Sequence, residues 1–250
     1  MNQEAPKSNP TTPMNVAVRY ENPAKRPTFT YIILVFTCLT YIGQLLSTRF
    51  VGFDVPATFG AKVNELITQG QIWRLVTPMF LHASLLHIGF NMYALIIFGH
   101  RLERIYGHSR FLLLYFLAGI TGNLFSFYLT PGISIGASTA VFGLLAAEGI
   151  FIYTNRRFFP NATYALREII MILVFNIFIG FSMPQIDNWG HMGGLIGGLA
   201  FAWFAGPLIQ IKKDITEIRL YDAHRDSRII WISGVHLFII ALLVVIRIMS

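Results

Sequence analysis

His191-Met192-Gly193-Gly194-Leu195-Ile196-Gly197-Gly198 opens an apolar run reaching Gly206, with glycines in two adjacent pairs spaced by four. Residues three and four apart share a helix face, so Gly194 and Gly198 form a smooth strip beginning one turn from His191. Small-residue strips let membrane helices approach until their backbones nearly touch. The stretch therefore reads as a closely packed membrane helix with a histidine at one end. A matching segment starts at Gly136-Ala137-Ser138-Thr139-Ala140 and is thinned by Gly136, Ala140 and Gly143.

The whole composition agrees with a membrane location. The 250-residue chain is 54% hydrophobic and 12% charged, with mean hydropathy +0.58. Soluble domains carry about twice that charged fraction. A bilayer core of about 30 Å needs roughly 20 apolar residues per helix, and candidate spans fall at about 28–47, 85–100, 110–129, 137–153, 167–182, 189–206 and 229–248. Residues 1–27 are polar and proline-rich and read as a flexible cytoplasmic extension. The first apolar run, Phe29 to Leu46, lacks a persuasive small-residue cleavage site, so a retained membrane helix is expected.

Basic residues orient the spans. Residues 1–28 and the connections at about 101–110, 154–167 and 207–228 hold 15 of the 19 Lys and Arg; Arg49, Lys62, Arg74 and Arg247 are the other 4. The positive-inside tendency then puts the N terminus in the cytoplasm and the C terminus outside, as an odd number of crossings requires. The net charge of +7 does not indicate nucleic-acid binding, because the cations lie in short connections without a basic face. Cys38, the one cysteine, excludes an intrachain disulfide. External connections fall at about 48–84, 130–136 and 183–188. The first carries Phe50, Phe53, Phe59, Ile72, Trp73, Leu75 and Phe80, too many large apolar groups for a solvated loop, and is expected to lie partly immersed.

Ser138, His191, His87 and Asn91 all come near one external depth on this topology, and polar groups in lipid are costly unless paired. Histidine can take a serine proton and return it to a leaving amine. His87 and Asn91, four residues apart on one face, could donate to a developing oxyanion, although helix-to-helix hydrogen bonding explains them equally well. Asp187 could orient His191, but its position in a connection favours a solvated carboxylate. His82 could support His87 or the first external element. Glu148 lies about 15 Å along the helix from Ser138, which suits a buried or paired structural acid. Arg101-Leu102-Glu103-Arg104 reads as a charge-paired cap. A transporter reading is disfavoured because the polar groups form no path across the membrane and no inverted repeat is evident. A histidine metal site lacks an acidic or thiolate companion.

In motif order the chain resembles the rhomboid intramembrane serine proteases over about residues 29–206. The resemblance rests on Trp73-Arg74, His82-Ala83-Ser84-Leu85-Leu86-His87-Ile88-Gly89-Phe90-Asn91, the Glu103 and Gly107 region, Gly136-Ala137-Ser138 and the His191 to Gly198 run. It implies an all-α polytopic fold: a six-helix core at 28–206, a cytoplasmic linker at 207–228, and a seventh helix with a short external tail at 229–250. It implies Ser138 as nucleophile and His191 as base, with His87, Asn91 and the Ser138 N–H stabilising the oxyanion. Trp73, Arg74, Glu103, Gly136, Phe142, Gly194 and Gly198 would support the fold or site. Two positions depart from the family pattern. Thr139 stands where glycine is common and could narrow the site or alter an oxyanion-side contact, while removing none of the four polar residues; Phe142 replaces a tyrosine, keeping the ring without the hydroxyl. The expected activity is cleavage of transmembrane protein substrates near the external face of a bacterial cytoplasmic membrane, with lipid as surroundings and no metal or organic cofactor. The alternative on the same fold is a catalytically inactive binding or quality-control scaffold.

Overall fold

The computed structural model describes residues 17–20, 24, 26–183, 185–213, 217–224 and 226–249. Most of the N-terminal extension expected at 1–27, and Ser250 of the external tail, lie outside the described residues. The chain is largely helical, and each of the seven apolar runs falls on a helix. Among the described residues four helices are long and apolar enough to cross a bilayer: α1 (Thr28–Val51), α6 (His108–Leu129), α8 (Ala162–Ser182) and α10 (Asp226–Met249). The other runs fall on α4 (Leu85–Ala94), α7 (Ser138–Thr154) and α9 (Asn188–Ala205). α4 passes through a π turn at Leu95–Gly99 into α5 (His100–Tyr106). Ile170, Met171, Val174, Phe175, Phe178 and Phe181 of α8 all face outward. So large an apolar surface suits lipid rather than water, as expected of a multi-span membrane protein.

Helix starts are set by named acceptors. The first turn of a helix leaves its N–H groups without intrahelical partners. For α1 the carboxylate of Glu103, which is fully buried, accepts from Phe29 N (2.9 Å), Thr30 N (2.7 Å) and Thr30 Oγ1 (2.7 Å). A nitrogen of the His108 ring lies 2.6 Å from the same carboxylate. Glu103 thus ties α5 and α6 to the beginning of α1. The buried Glu148 of α7 pairs with Arg101 of α5 at 2.8 Å.

The connection after α1 is folded, in keeping with its apolar content. It contains α2 (Val55–Gly60), α3 (Asn64–Thr68) and 3₁₀ turns at Ile72–Leu75 and Thr77–Phe80. Trp73 Nε1 donates to Phe59 O (3.1 Å), while the buried Arg74 donates to Ala61 O (2.6 Å), Thr58 O (2.9 Å) and Gln71 Oε1 (2.8 Å). These bonds fasten the first 3₁₀ turn to α2. Lys62, also fully buried, clasps the connection between α6 and α7: its Nζ donates to Thr130 O (2.6 Å) and Gly132 O (2.8 Å), and its backbone pairs with Ser134. Burial pulls its ammonium from an ordinary 10.5 down to about 8, although the charges of Asp187 and Glu65 act to raise it.

α6, α7 and α9 form the inner triad. A Cβ added at Gly194 would strike the Thr139 carbonyl oxygen, and one added at Gly198 would strike that of Gly143. The glycine strip is therefore used to bring two backbones together. α10 lies against this group, with Tyr128 OH donating to Leu243 O (2.5 Å) and a His236 ring nitrogen 2.9 Å from Thr121 Oγ1.

A small sheet adds to the expected all-α architecture. β2 (Ile209–Lys213) and β3 (Glu217–Asp222) pair antiparallel, and β1 (Ala17–Tyr20) joins β3 in parallel, giving the order β1-β3-β2. The segment read as a linker at 207–228 thus holds two strands and the start of α10. It is fastened to the helices by the Arg110 to Asp222 pair (2.6 Å), by Asn155 bonding Pro207 O (3.0 Å) and Ile209 N (2.7 Å), and by Arg157 donating to Ile209 O (2.7 Å).

Two outcomes follow from these contacts. Gly194→Ala should destabilise the protein by about 2 kcal/mol or more, because overpacking here meets backbone rather than a movable side chain; Gly89→Ala, with nothing within 4 Å, should not. Thermal unfolding in detergent reads both. For Lys62 the unfolded chain binds more protons than the folded one between its folded value of about 8 and the ordinary 10.5. The wild-type melting temperature should therefore rise relative to Lys62→Met as pH increases through that window.

Candidate active site

The approach to Ser138 is shaped by Gly136, whose φ of +135° lies in the region that favours glycine. Its N–H donates to Pro78 O at 2.9 Å, and a Cβ there would sit 2.8 Å from His87 Nε2. Glycine thus allows both the backbone turn and the close approach of the imidazole. Ser138 is the first residue of α7, and its Oγ lies 2.8 Å from His191 Nε2. His191 in turn stacks on Phe142, with centroids 4.3 Å apart and planes inclined by 14°. The loss of a tyrosine hydroxyl at that position leaves the ring contact in place. His191 Nδ1 is buried and has no hydrogen-bond partner among the described residues, so stacking and the serine contact orient the ring.

α4 brings the second group of polar residues. Ser84 caps it by accepting from His87 N at 3.2 Å, which sets His87 in the first turn. The His82 and His87 rings meet edge to face at 4.9 Å, and Ala137 N–H donates to His82 Nε2 at 3.4 Å. His82 consequently touches both His87 and the backbone just before Ser138. Asn91 is buried on the same helix and donates from Nδ2 to His87 O at 2.9 Å. An amide nitrogen carries two hydrogens, so this bond engages one of its donors.

The other expected residues lie away from this cluster. Trp73 and Arg74 bind within the connection after α1, Glu103 binds the start of α1, and Gly194 and Gly198 lie at the α7–α9 contact. Thr139 does not narrow the site in the way expected. Its side chain turns into the helix packing, where Gly122 and Gly190 leave it room: a Cβ at Gly122 would lie 2.6 Å from Thr139 Cβ, and one at Gly190 3.2 Å from its Cγ2.

Asp187 departs most clearly from the sequence-based expectation of a solvated carboxylate. It caps α9 through Gly190 N (2.9 Å) and accepts from Thr130 Oγ1 (2.8 Å), Ser134 Oγ (2.6 Å) and Ser126 Oγ. Burial pushes its carboxyl up, yet the bonds from Ser126, Ser134, Gly190 and Thr130 together hold it below the ordinary value. It does not bond the His191 ring. Asp187-Asn188-Trp189-Gly190 before an apolar run is an N-cap signal legible in the sequence. Its hydroxyl donors are dispersed over α6 and the next connection, and only folding collects them.

The comparisons with known proteins address the same chain. A model of the rhomboid domain matches residues 69–208. "Rhomboid protease GluP" of Bacillus subtilis (strain 168) is 43% identical over 188 residues, covering 75% of this chain and 36% of that protein. "RHOMBOID-like protein 9, chloroplastic" of Arabidopsis thaliana is 35% identical over 166 residues, 66% of this chain and 38% of its own length. "RHOMBOID-like protein 6, mitochondrial" of the same plant is 36% identical over 191 residues, 74% and 61% of the two lengths. The chain thus matches from about a third to three fifths of the length of these relatives. Together with the ordered glycine, histidine and serine motifs, the domain match assigns this chain to the rhomboid family.

Proposed function

We propose that the protein is an intramembrane serine endopeptidase that cleaves transmembrane protein substrates near the external interface. The observation that carries the reading is the 2.8 Å approach of Ser138 Oγ to His191 Nε2, at the outer end of two helices whose glycines permit it. The similarity to a relative named as a rhomboid protease supports it. Six crossings, made by α1, α4 with α5, α6, α7, α8 and α9, would form the core, and α10 would be the seventh crossing. The basic-residue bias supports a cytoplasmic N terminus and an external C terminus in a bacterial cytoplasmic membrane.

In this mechanism His191 carries its proton on Nδ1 and accepts the Ser138 hydroxyl proton at Nε2 as Oγ attacks the peptide carbonyl. The negative charge that develops on the carbonyl oxygen is met by donors from His87, Asn91 and the Ser138 N–H. His191 then returns the proton to the leaving amine, and water repeats the sequence on the acyl-enzyme. Phe142 holds the base by stacking. Trp73, Arg74 and Glu103 support the helix ends, while Gly136, Gly194 and Gly198 give the backbones their close approach. A regular helix already pairs its carbonyls, so the substrate segment must unwind locally to be attacked.

In lipid vesicles containing a permissive transmembrane substrate, Ser138→Ala and His191→Ala should each lower cleavage by at least about 1,000-fold while the protein stays folded. A serine-directed fluorophosphonate should label wild type and spare Ser138→Ala. Retained cleavage in either variant removes the dyad. Selective substrate binding without cleavage or labelling by wild type assigns a scaffold instead.

A further inference from the structure

The outer ends of α6, α7 and α9 are joined by a polar knot that touches neither reactive side chain. Asp187 stands at its centre. It caps α9 four residues before His191, and it accepts hydrogen bonds from the hydroxyls of Ser126 and Thr130 at the end of α6 and of Ser134 in the connection leading to Ser138. The same connection is held on its carbonyl side: Lys62 donates to Thr130 O and Gly132 O, and Asn64 Nδ2 donates to Thr130 O at 3.1 Å. Two walls of hydrogen bonds therefore grip the connection at Thr130, Gly132 and Ser134, and one of them is continuous with the helix that carries His191. Because His191 Nδ1 lacks a partner among the described residues, no carboxylate aims the ring directly. The separation of the two backbones must set the Ser138 to His191 distance.

We propose that Asp187 is a positioning residue for the Ser138–His191 pair, fixing the outer end of α9 against the connection that delivers Ser138. The proposal rests on the protease reading for its catalytic consequence, but its structural consequence can be measured without turnover. An ionised carboxylate suits the place, since it accepts several hydrogen bonds and interacts favourably with a helix N-terminus. Alanine would leave three hydroxyls and the Gly190 N–H to find other partners, and the two segments would drift apart. Reaction rate is steep in such a gap: displacement by about 1 Å costs on the order of 100-fold.

The test uses the full chain in lipid vesicles. With a transmembrane substrate, Asp187→Ala should lower kcat by about 10- to 100-fold with KM changed by less than about threefold, and Asp187→Asn should fall between it and wild type. Ser134→Ala should lower kcat less than Asp187→Ala, and the double variant should fall short of the product of the two effects. As a control at the other end of the bundle, Asp222→Asn breaks the Arg110 pair and should leave kcat within about twofold. The ring ¹⁵N signals of His191 should shift in Asp187→Ala relative to wild type. A kcat within about threefold of wild type, or unmoved ring signals, overturns the proposal. If wild type neither cleaves nor takes a serine-directed label, the protease reading falls while the ring signals still decide the role of Asp187. If Asp187→Ala does not fold, Ser134→Ala and Thr130→Val supply the same comparison.

Discussion

The approach of α9 to α7 constrains the rest of the molecule. Gly194 faces the carbonyl of Thr139 and Gly198 that of Gly143, with no room for a Cβ at either contact. Lipid supplies little hydrophobic force between helices, so close packing must hold the bundle together. The same contact brings the N-terminal ends of the two helices near enough for Ser138 and His191 to meet. It also decides the place of Thr139, which points into the space left by Gly122 and Gly190 rather than into the site. Packing and chemistry therefore share one geometric cause.

A second constraint acts on the polar groups, which cannot be left unpaired in a poorly hydrated interior. At one end of the bundle Glu103 accepts from the first turn of α1, and Asn155 serves both donor and acceptor groups of the chain after α9. Arg74, Lys62 and Asp187 do the corresponding work at the opposite end. Their bonds run mostly to backbone or hydroxyl groups, so they define where connections lie as well as neutralising buried polarity. The two ends are thereby fixed while the lipid-facing sides of α1, α8 and α10 remain apolar.

The chain exposes some of these decisions in one dimension and hides others. Each of the seven apolar runs falls on a helix, four of them long enough to cross a bilayer among the described residues, because their cause, the desolvation of side chains, acts residue by residue. Helix ends are less legible: α1 continues to Val51, and the helix expected to stop near His100 continues through Glu103 to Tyr106. Charges there do not end the helix, because folding buries Glu103 against the α1 start and pairs Arg101 with Glu148. The sheet is hidden for a different reason. β1 and β3 lie 200 residues apart in sequence, so their pairing exists only after folding, and strands of four to six residues are short stretches on which to read a period.

Residue order alone determined a helical membrane protein, the family motifs, and the candidate group of Ser138, His191, His87 and Asn91. It could do so because hydropathy is local and glycine spacing states how closely a helix can be approached. Tertiary structure decided the separation of Ser138 from His191, the direction of Thr139, the engagement of Asn91 by its own helix, and the change of Asp187 from an expected solvated group into a buried acceptor. Those outcomes depend on which atoms fill the space around a side chain. For Asp187 the donors come from positions 126, 130, 134 and 190, and they become neighbours only when α6 and α9 pack together.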